Sequence, residues 1–126
     1  MTPADALPSP GDIILMDFAP VRGSEQGGTR PALVVSERDM HEMTRRAIVC
    51  PITRNTQPWP SKVLLPDGLA AQGAVLVDQV RSIDRDARIL RKLGQVPEAV
   101  LLLVRRKLAA LTGIELVISG PGSERP

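Results

Sequence analysis

Gly23-Ser24-Glu25-Gln26-Gly27-Gly28-Thr29-Arg30-Pro31-Ala32-Leu33-Val34-Val35-Ser36 changes character halfway along its length. Its first half is glycine-rich and has no hydrophobic period, the mark of a loop. From Pro31 to Ser36 the chain turns apolar and β-branched, a buried strand opened by a proline whose missing N–H is tolerable at a first position. Upstream, Asp12 to Phe18 reads as another strand, opened by Gly11, so Ala19 to Thr29 becomes a long connection between two strands. Downstream, Ser36 offers an N-cap and Glu37 and Asp39 an acidic first turn, predicting a short helical turn through about Met43.

The remaining chain extends this pattern. Arg46 to Thr53 is a strand in which Pro51 implies an edge or a bulge. Lys62 to Leu65, Ala74 to Val80 and Arg88 to Leu93 are further strands, divided by turn signals at Pro66-Asp67-Gly68 and Gly73. Pro97 to Leu111 is the one long helix, with proline at its start, Glu98 in its first turn and Gly113 just past its end. Val100, Leu101, Val104, Leu108 and Leu111 share a face that should be buried, leaving Arg105, Arg106 and Lys107 to point elsewhere or to solvent. A doubly wound sheet needs strands alternating with helices, and that pattern is absent. The residues therefore imply a strongly curved sheet or small barrel capped by helices. One domain over 11–117 is expected, with a flexible lead-in at 1–10 and a flexible tail at 118–126.

Composition narrows the function. At 126 residues there is room for one modest core. No apolar run approaches the roughly 20 residues a membrane-spanning helix needs. The first ten residues lack the basic and apolar segments of a secretory signal, and Cys50 is a lone cysteine; both fit a reducing cytoplasm. The net charge of +2 is too mild to prove nucleic-acid binding, but arginine dominates the cations, and its planar fork suits phosphate oxygens. A GC-rich genome would give the same bias. Only Phe18 and Trp59 are aromatic, too few for a base-stacking sheet of the RNA-recognition-motif type.

Metal and nucleophile chemistries lack the side chains they need. One histidine, His41, and one cysteine cannot build a zinc site. His41 is expected at the surface beside the short helical turn and Cys50 in the core. No Gly-x-Ser-x-Gly elbow supports a hydrolase triad, and no Gly-Lys-Ser/Thr follows the glycines to make a phosphate loop. What remains is Glu25 and Arg30 beside a strand. A carboxylate can take a 2′-hydroxyl proton while a guanidinium offsets charge building on a phosphate. The plain alternative is a flexible connection. Pro51-Ile52-Thr53-Arg54 ends a strand with a hydroxyl and a cation, and Asp78 stands inside an apolar strand, either paired with Arg81 or Arg88 or part of a site.

The order of these pieces decides between the readings. Gly11-Asp12-Ile13-Ile14, the Gly23–Ser36 stretch, Val49-Cys50-Pro51-Ile52-Thr53 and Val75-Leu76-Val77-Asp78-Gln79-Val80-Arg81-Ser82-Ile83 resemble, in sequence and order, the MazF/PemK family of toxin endoribonucleases. The resemblance spans about Gly11 to Ile114. It implies an α+β, mainly β fold: a small SH3-like barrel of five to seven short strands with a C-terminal helix and short helical turns. It implies cleavage of single-stranded RNA by 2′-hydroxyl attack, leaving a cyclic phosphate and a 5′-hydroxyl, with no metal and no cofactor. By position, Arg30 and Thr53 match the family's catalytic arginine and threonine, and Glu25 an acid several members require. Arg30 is assigned to phosphate stabilisation and proton delivery, Glu25 to the general base, because arginine's intrinsic pKa makes it a poor one, and Thr53 to a hydrogen bond on the phosphate. Ser24, Gln26, Arg22, Arg54, Asp78, Gln79 and Arg81 are the expected RNA-binding residues. Ser24 and Leu76 stand where some members carry a histidine and an arginine.

The resemblance also implies a homodimer and a cognate antitoxin, whose acidic, initially disordered segment would fold onto the basic groove. The apolar residues of the terminal helix and first strand are the interface candidates. The runner-up function is a non-catalytic toxin of the same fold that poisons DNA gyrase. A catalytically dead module that only pairs with an antitoxin is a third, opposed by the presence of both Arg30 and Thr53.

Overall fold

The structure is a computed structural model that describes residues 7–18 and 28–116. Arg22, Ser24, Glu25 and Gln26, most of the expected lead-in and the whole expected tail lie outside the described residues.

Strand β1 (Asp12–Asp17) is antiparallel to β2 (Thr29–Val34) on one side and to β7 (Ile89–Gln95) on the other. Both of its faces are covered. Ile13 packs with Leu33, Cys50 and Ile52, while Ile14 and Met16 pack with Ala32, Val34, Val49 and Ile83. A strand buried on two faces has no need of polar alternation, which is why this segment reads as a continuous apolar run. It also removes β1 from the expected dimer surface, because Ile13, Ile14 and Met16 are all in the core.

Strand β3 (Arg46–Thr53) organises the curvature. One edge pairs with β2, Leu33 facing Cys50. The other edge has two partners in succession: β6 (Arg81–Asp84) along Arg46 to Val49, and β5 (Ala74–Leu76) along Ile52 and Thr53. Between β5 and β6 the chain makes a 3₁₀ turn, Val77–Gln79, that carries it from one end of that edge to the other. The short strand β4 (Lys62–Leu64) extends the sheet beyond β5, giving the order β4-β5-β3-β2-β1-β7 with β6 attached to β3. Pro51 is therefore not on an edge strand. It sits where β3 exchanges one partner for the other, a position where a missing N–H costs no ladder bond.

The expected strand from Ala74 to Val80 thus ends at Leu76, and the expected strand from Arg88 begins at Ile89. Arg85–Arg88 forms a one-turn helix, α2, capped by Asp84, whose side chain accepts the Asp86 and Ala87 N–H groups. This strand β6 and helix α2 went unread because Arg-Ser-Ile-Asp has neither a strand's length nor its apolar density. Helix α1 (Arg38–Met43) forms where expected, though Ser36 does not cap it.

Helix α3 (Glu98–Leu111) lays Val100, Leu101 and Val104 on the Ile13 and Leu33 cluster, with Leu108 partly buried beside them. Leu111 has the same phase but is 49% exposed, and Ala109 takes the buried place in the last turn. Arg105 is not spent on solvent. It donates to the Val35 carbonyl at 3.0 and 2.7 Å and pairs with Glu37 at 2.6 Å, tying the helix to the end of β2. No helix of the described residues is long and apolar enough to cross a membrane.

His41, expected at the surface, is wholly buried. Its Nδ1 lies 2.7 Å from the Pro8 carbonyl and its Nε2 2.6 Å from Ser36 Oγ. A carbonyl can only accept, so Nδ1 donates; Ser36 Oγ accepts from the Ile48 N–H at 2.8 Å and gives its own proton to Nε2. Pro8 is buried in turn, and Ser9 donates to buried Asp12 at 2.8 Å, so these residues of the expected lead-in are held to the domain.

Candidate active site

The loop opening this site leaves the sheet through a narrow neck. Phe18 N–H donates to the Gly28 carbonyl at 3.0 Å, Asp17 pairs with Thr29, and Gly28 takes a φ of +85° that other residues adopt reluctantly. Strand β2 then begins at Thr29, two residues earlier than the proline suggests. Arg30 consequently belongs to a strand, opposite Met16, and not to the loop. A strand holds a guanidinium's stem better than a loop does.

Ala32 faces Pro51 across β2 and β3. Arg30 lies two residues before Ala32 and Thr53 two residues after Pro51, just beyond the paired residues of the two strands. Both line an open groove of about 1180 Å³, with Thr29, Arg54, Asn55 and Gln72 among its other walls. The Thr53 hydroxyl oxygen accepts the Asn55 N–H at 3.1 Å, which leaves its own proton free to donate into the groove. Asn55 in turn accepts the Gln57 N–H at 2.9 Å, and Lys62 Nζ donates to the Asn55 and Gln57 carbonyls at 3.0 and 3.1 Å. The segment after Thr53 is therefore built as a braced turn.

Most of the chain's other cations are engaged structurally. Arg38 pairs with Glu42, Arg45 with Asp84 and Asp86, Arg85 with Asp86, Lys92 with Asp12, and Arg46 bonds to Ser82. Among the described residues, Arg30, Arg54 and Arg81 have no carboxylate within 4.0 Å, a condition they share with Arg88, Arg91, Arg106 and Lys107. Arg30 and Arg81, from strands that do not pair with each other, instead approach one ring, Phe18. Unneutralised guanidinium groups at a groove are what an anionic ligand requires.

Asp78 and Gln79 are not inside a strand as expected. They are exposed on the 3₁₀ turn, do not line the groove, and Asp78 has no ion pair with Arg81 or Arg88 among the described residues. Asp78 does reach Cys50 electrostatically. Burial chiefly, and the Asp78 charge secondarily, push the Cys50 thiol up to about 12, so it is an inert core group. Among the described residues no group of three or more His, Cys, Asp or Glu converges as a ligand set.

Two contributors escaped the sequence reading. Phe18 looked like the end of a strand; its scarcity as one of two aromatics was the only available signal. Gly73 looked like a turn, whereas its backbone lies directly against Thr53. Such an approach joins residues distant in sequence and leaves no local pattern.

A small, rolled antiparallel sheet with two arginines in its groove and a single long helix defines a compact, mainly β class of domain whose groove suits a polyanionic ligand. The comparisons make that specific: residues 9–112 match the family of PemK-like, MazF-like toxins of type II toxin–antitoxin systems, and this chain belongs to it. It is 38% identical over 107 residues to the endoribonuclease toxin MazF of Escherichia coli K12, covering 85% of this chain and 96% of that one. It is 34% identical over 105 residues to the endoribonuclease PemK of Escherichia coli, with 80% and 79% covered. Among solved structures, MazF from Deinococcus radiodurans superposes with a TM-score of 0.77 at 39% identity, over 86% of this chain and 98% of that one. A MazE–MazF structure from the same organism gives 0.76 at 34% identity, over 86% and 99%.

Proposed function

We propose that this chain is the toxin endoribonuclease of a type II toxin–antitoxin system, cutting single-stranded RNA in the groove between Arg30 and Thr53. The observation that carries the reading is that Arg30 and Thr53 line one groove, a guanidinium without a carboxylate partner among the described residues in the same groove as a hydroxyl with a proton to donate. Names borne by the relatives, endoribonuclease MazF and PemK, support it.

The chemistry follows from these groups. A general base, assigned to Glu25, removes the 2′-hydroxyl proton, and the resulting oxygen attacks the adjacent phosphorus. The P–O5′ bond breaks and the departing O5′ takes up a proton, delivered by Arg30 or by water, leaving a 2′,3′-cyclic phosphate on one fragment and a 5′-hydroxyl on the other. Charge grows on the non-bridging oxygens as this happens. Arg30 meets that charge with a two-pronged donor and Thr53 with its hydroxyl. The reaction as written needs no metal. Arg54 and Arg81 hold flanking phosphates, and Ser24, Gln26 and Arg22 complete the proposed RNA contacts, whereas Asp78 and Gln79 stand off the groove wall.

A cognate antitoxin is the proposed protein partner, supported by the MazE–MazF complexes of Deinococcus radiodurans. A homodimer is proposed to form in part through α3, whose Leu102, Leu103 and Leu111 remain exposed. The cytoplasm is the proposed compartment, where both RNA and a reduced Cys50 are found.

Incubating the protein with a long transcript in EDTA tests the reading. Discrete fragments with 5′-hydroxyl ends, abolished by Arg30→Ala and weakened as salt rises, are expected. Intact RNA, or cleavage by Arg30→Ala at the wild-type rate, overturns it; intact RNA with gyrase inhibition would favour a non-catalytic toxin.

A further inference from the structure

Phe18 takes no part in the chemistry above, yet Arg30 of the groove and Arg81 of β6 both approach it. Its ring is only 5% exposed, packed in the same cluster as Met16, Ala32 and Val34, and its backbone closes the neck of the loop at Gly28. Arg30 Cζ lies 5.7 Å from the ring centroid and Arg81 Cζ 5.5 Å. Two guanidinium groups gathered at one ring repel, and neither has a carboxylate of the described residues within 4.0 Å. The ring's negative face offsets part of that repulsion and restricts two otherwise flexible side chains.

Resting on the reading of the groove as an RNA-cleaving site, we propose that Phe18 is its positioning residue. The ring holds Arg30 and Arg81 as a guanidinium pair that grips the scissile phosphate and a neighbouring phosphate. Transesterification makes unusual demands on Arg30, because stabilisation of the developing charge depends on a donor placed in advance. A displacement of about 1 Å can cost on the order of 100-fold in rate. Arg81, from β6, supplies the second contact and carries RNA's charge at a fixed distance from the first. Strands β2 and β6 do not pair directly, and the shared ring links their two arginine side chains across the intervening β3.

Phe18→Leu keeps an apolar filler but removes the ring, and Phe18→Tyr keeps the ring. On a short RNA containing one cut site, Phe18→Leu should lower kcat by roughly 10- to 100-fold with little change in KM, and Phe18→Tyr should restore most of it. Arg81→Gln provides a measurement independent of the buried position. On the non-cleavable 2′-deoxy analogue of the same oligonucleotide, its slope of log Kd against log salt should fall by about 0.7, the loss of one phosphate contact on a single strand. Thermal melting identifies a variant that fails to fold, in which case the Arg81→Gln slope decides. An unchanged slope, or a folded Phe18→Leu that retains wild-type kcat, overturns the guanidinium pair while the nuclease reading stands. A wild-type protein that cuts no RNA overturns that reading, and the pair with it.

Discussion

A side chain on Gly73 would place its Cβ 1.9 Å from the carbonyl oxygen of Thr53, with Gly73 already at a φ of +122°. The catalytic candidate Thr53 is therefore set from behind by a backbone that approaches as closely as only glycine permits. Gly73 also holds the turn from β4, its carbonyl accepting the Leu65 N–H at 2.9 Å. Gly73→Ala should combine backbone strain of about 1–3 kcal/mol with a forced shift of Thr53. A lower melting temperature together with a loss of cleavage exceeding the fraction unfolded would verify this; a variant with wild-type kcat would show that Thr53 does not depend on the contact.

Thr53 itself divides shape from chemistry. Thr53→Val preserves the β-branched form suited to a strand end but removes both the free proton and the acceptor for Asn55 N–H. Loss of one donor to a developing oxyanion costs roughly 100- to 1000-fold in kcat. Thr53→Ser should recover most of that. Single-turnover cleavage of an oligonucleotide separates the two, and equal rates for Val and Ser would remove the hydroxyl from the mechanism.

His41 is predicted to be structural. His41→Ala leaves the Pro8 carbonyl without its donor, takes away the acceptor of the Ser36 proton and opens a cavity in a fully buried place, a loss of about 2–4 kcal/mol. Chemical denaturation should show that cost, while cleavage per folded molecule stays near wild type. A normal stability would mean that residues 8 and 9 do not need the latch.

Two groups tie stability to pH in opposite ranges. The Cys50 thiol is raised from 9.0 to about 12, chiefly by burial, so its contribution is full below 9.0 and is lost as pH rises from there through about 12. Cys50→Ala should flatten the alkaline side of a stability profile, and native Cys50 should resist thiol reagents at pH 8 until the protein unfolds. Asp84 is lowered from 3.8, first by the Ala87 N–H, with Arg45 and the Asp86 N–H adding to the effect. Its contribution is present above 3.8 and is lost as pH falls through the lower native value. Asp84→Asn should blunt the acid limb of the same profile.

The strands that could be read were those whose burial leaves a one-dimensional trace. Asp12 to Asp17 and Arg46 to Thr53 are long, apolar and β-branched, and the expected bounds of the second coincide with the structure. Val100, Leu101 and Val104 gave α3 its buried face by helical spacing alone. By contrast, Leu111 has the right spacing but no core opposite it, and β6 is too short and polar to announce itself. Periodicity records the phase of a side chain, not the extent of what it packs against.

For the site, residue types in order were enough to nominate Arg30 and Thr53, because the loop–strand signature and the strand-end hydroxyl are local chemistry. Only the tertiary structure decided that these two line one groove, since the register between β2 and β3 is a choice of pairing, set by which faces reach the two cores. It also decided that Asp78 leaves the groove on a 3₁₀ turn, that His41 is interior, and that Phe18 receives two arginines from strands with no ladder between them. Each of those outcomes rests on contacts between segments distant along the chain, where no spacing rule operates.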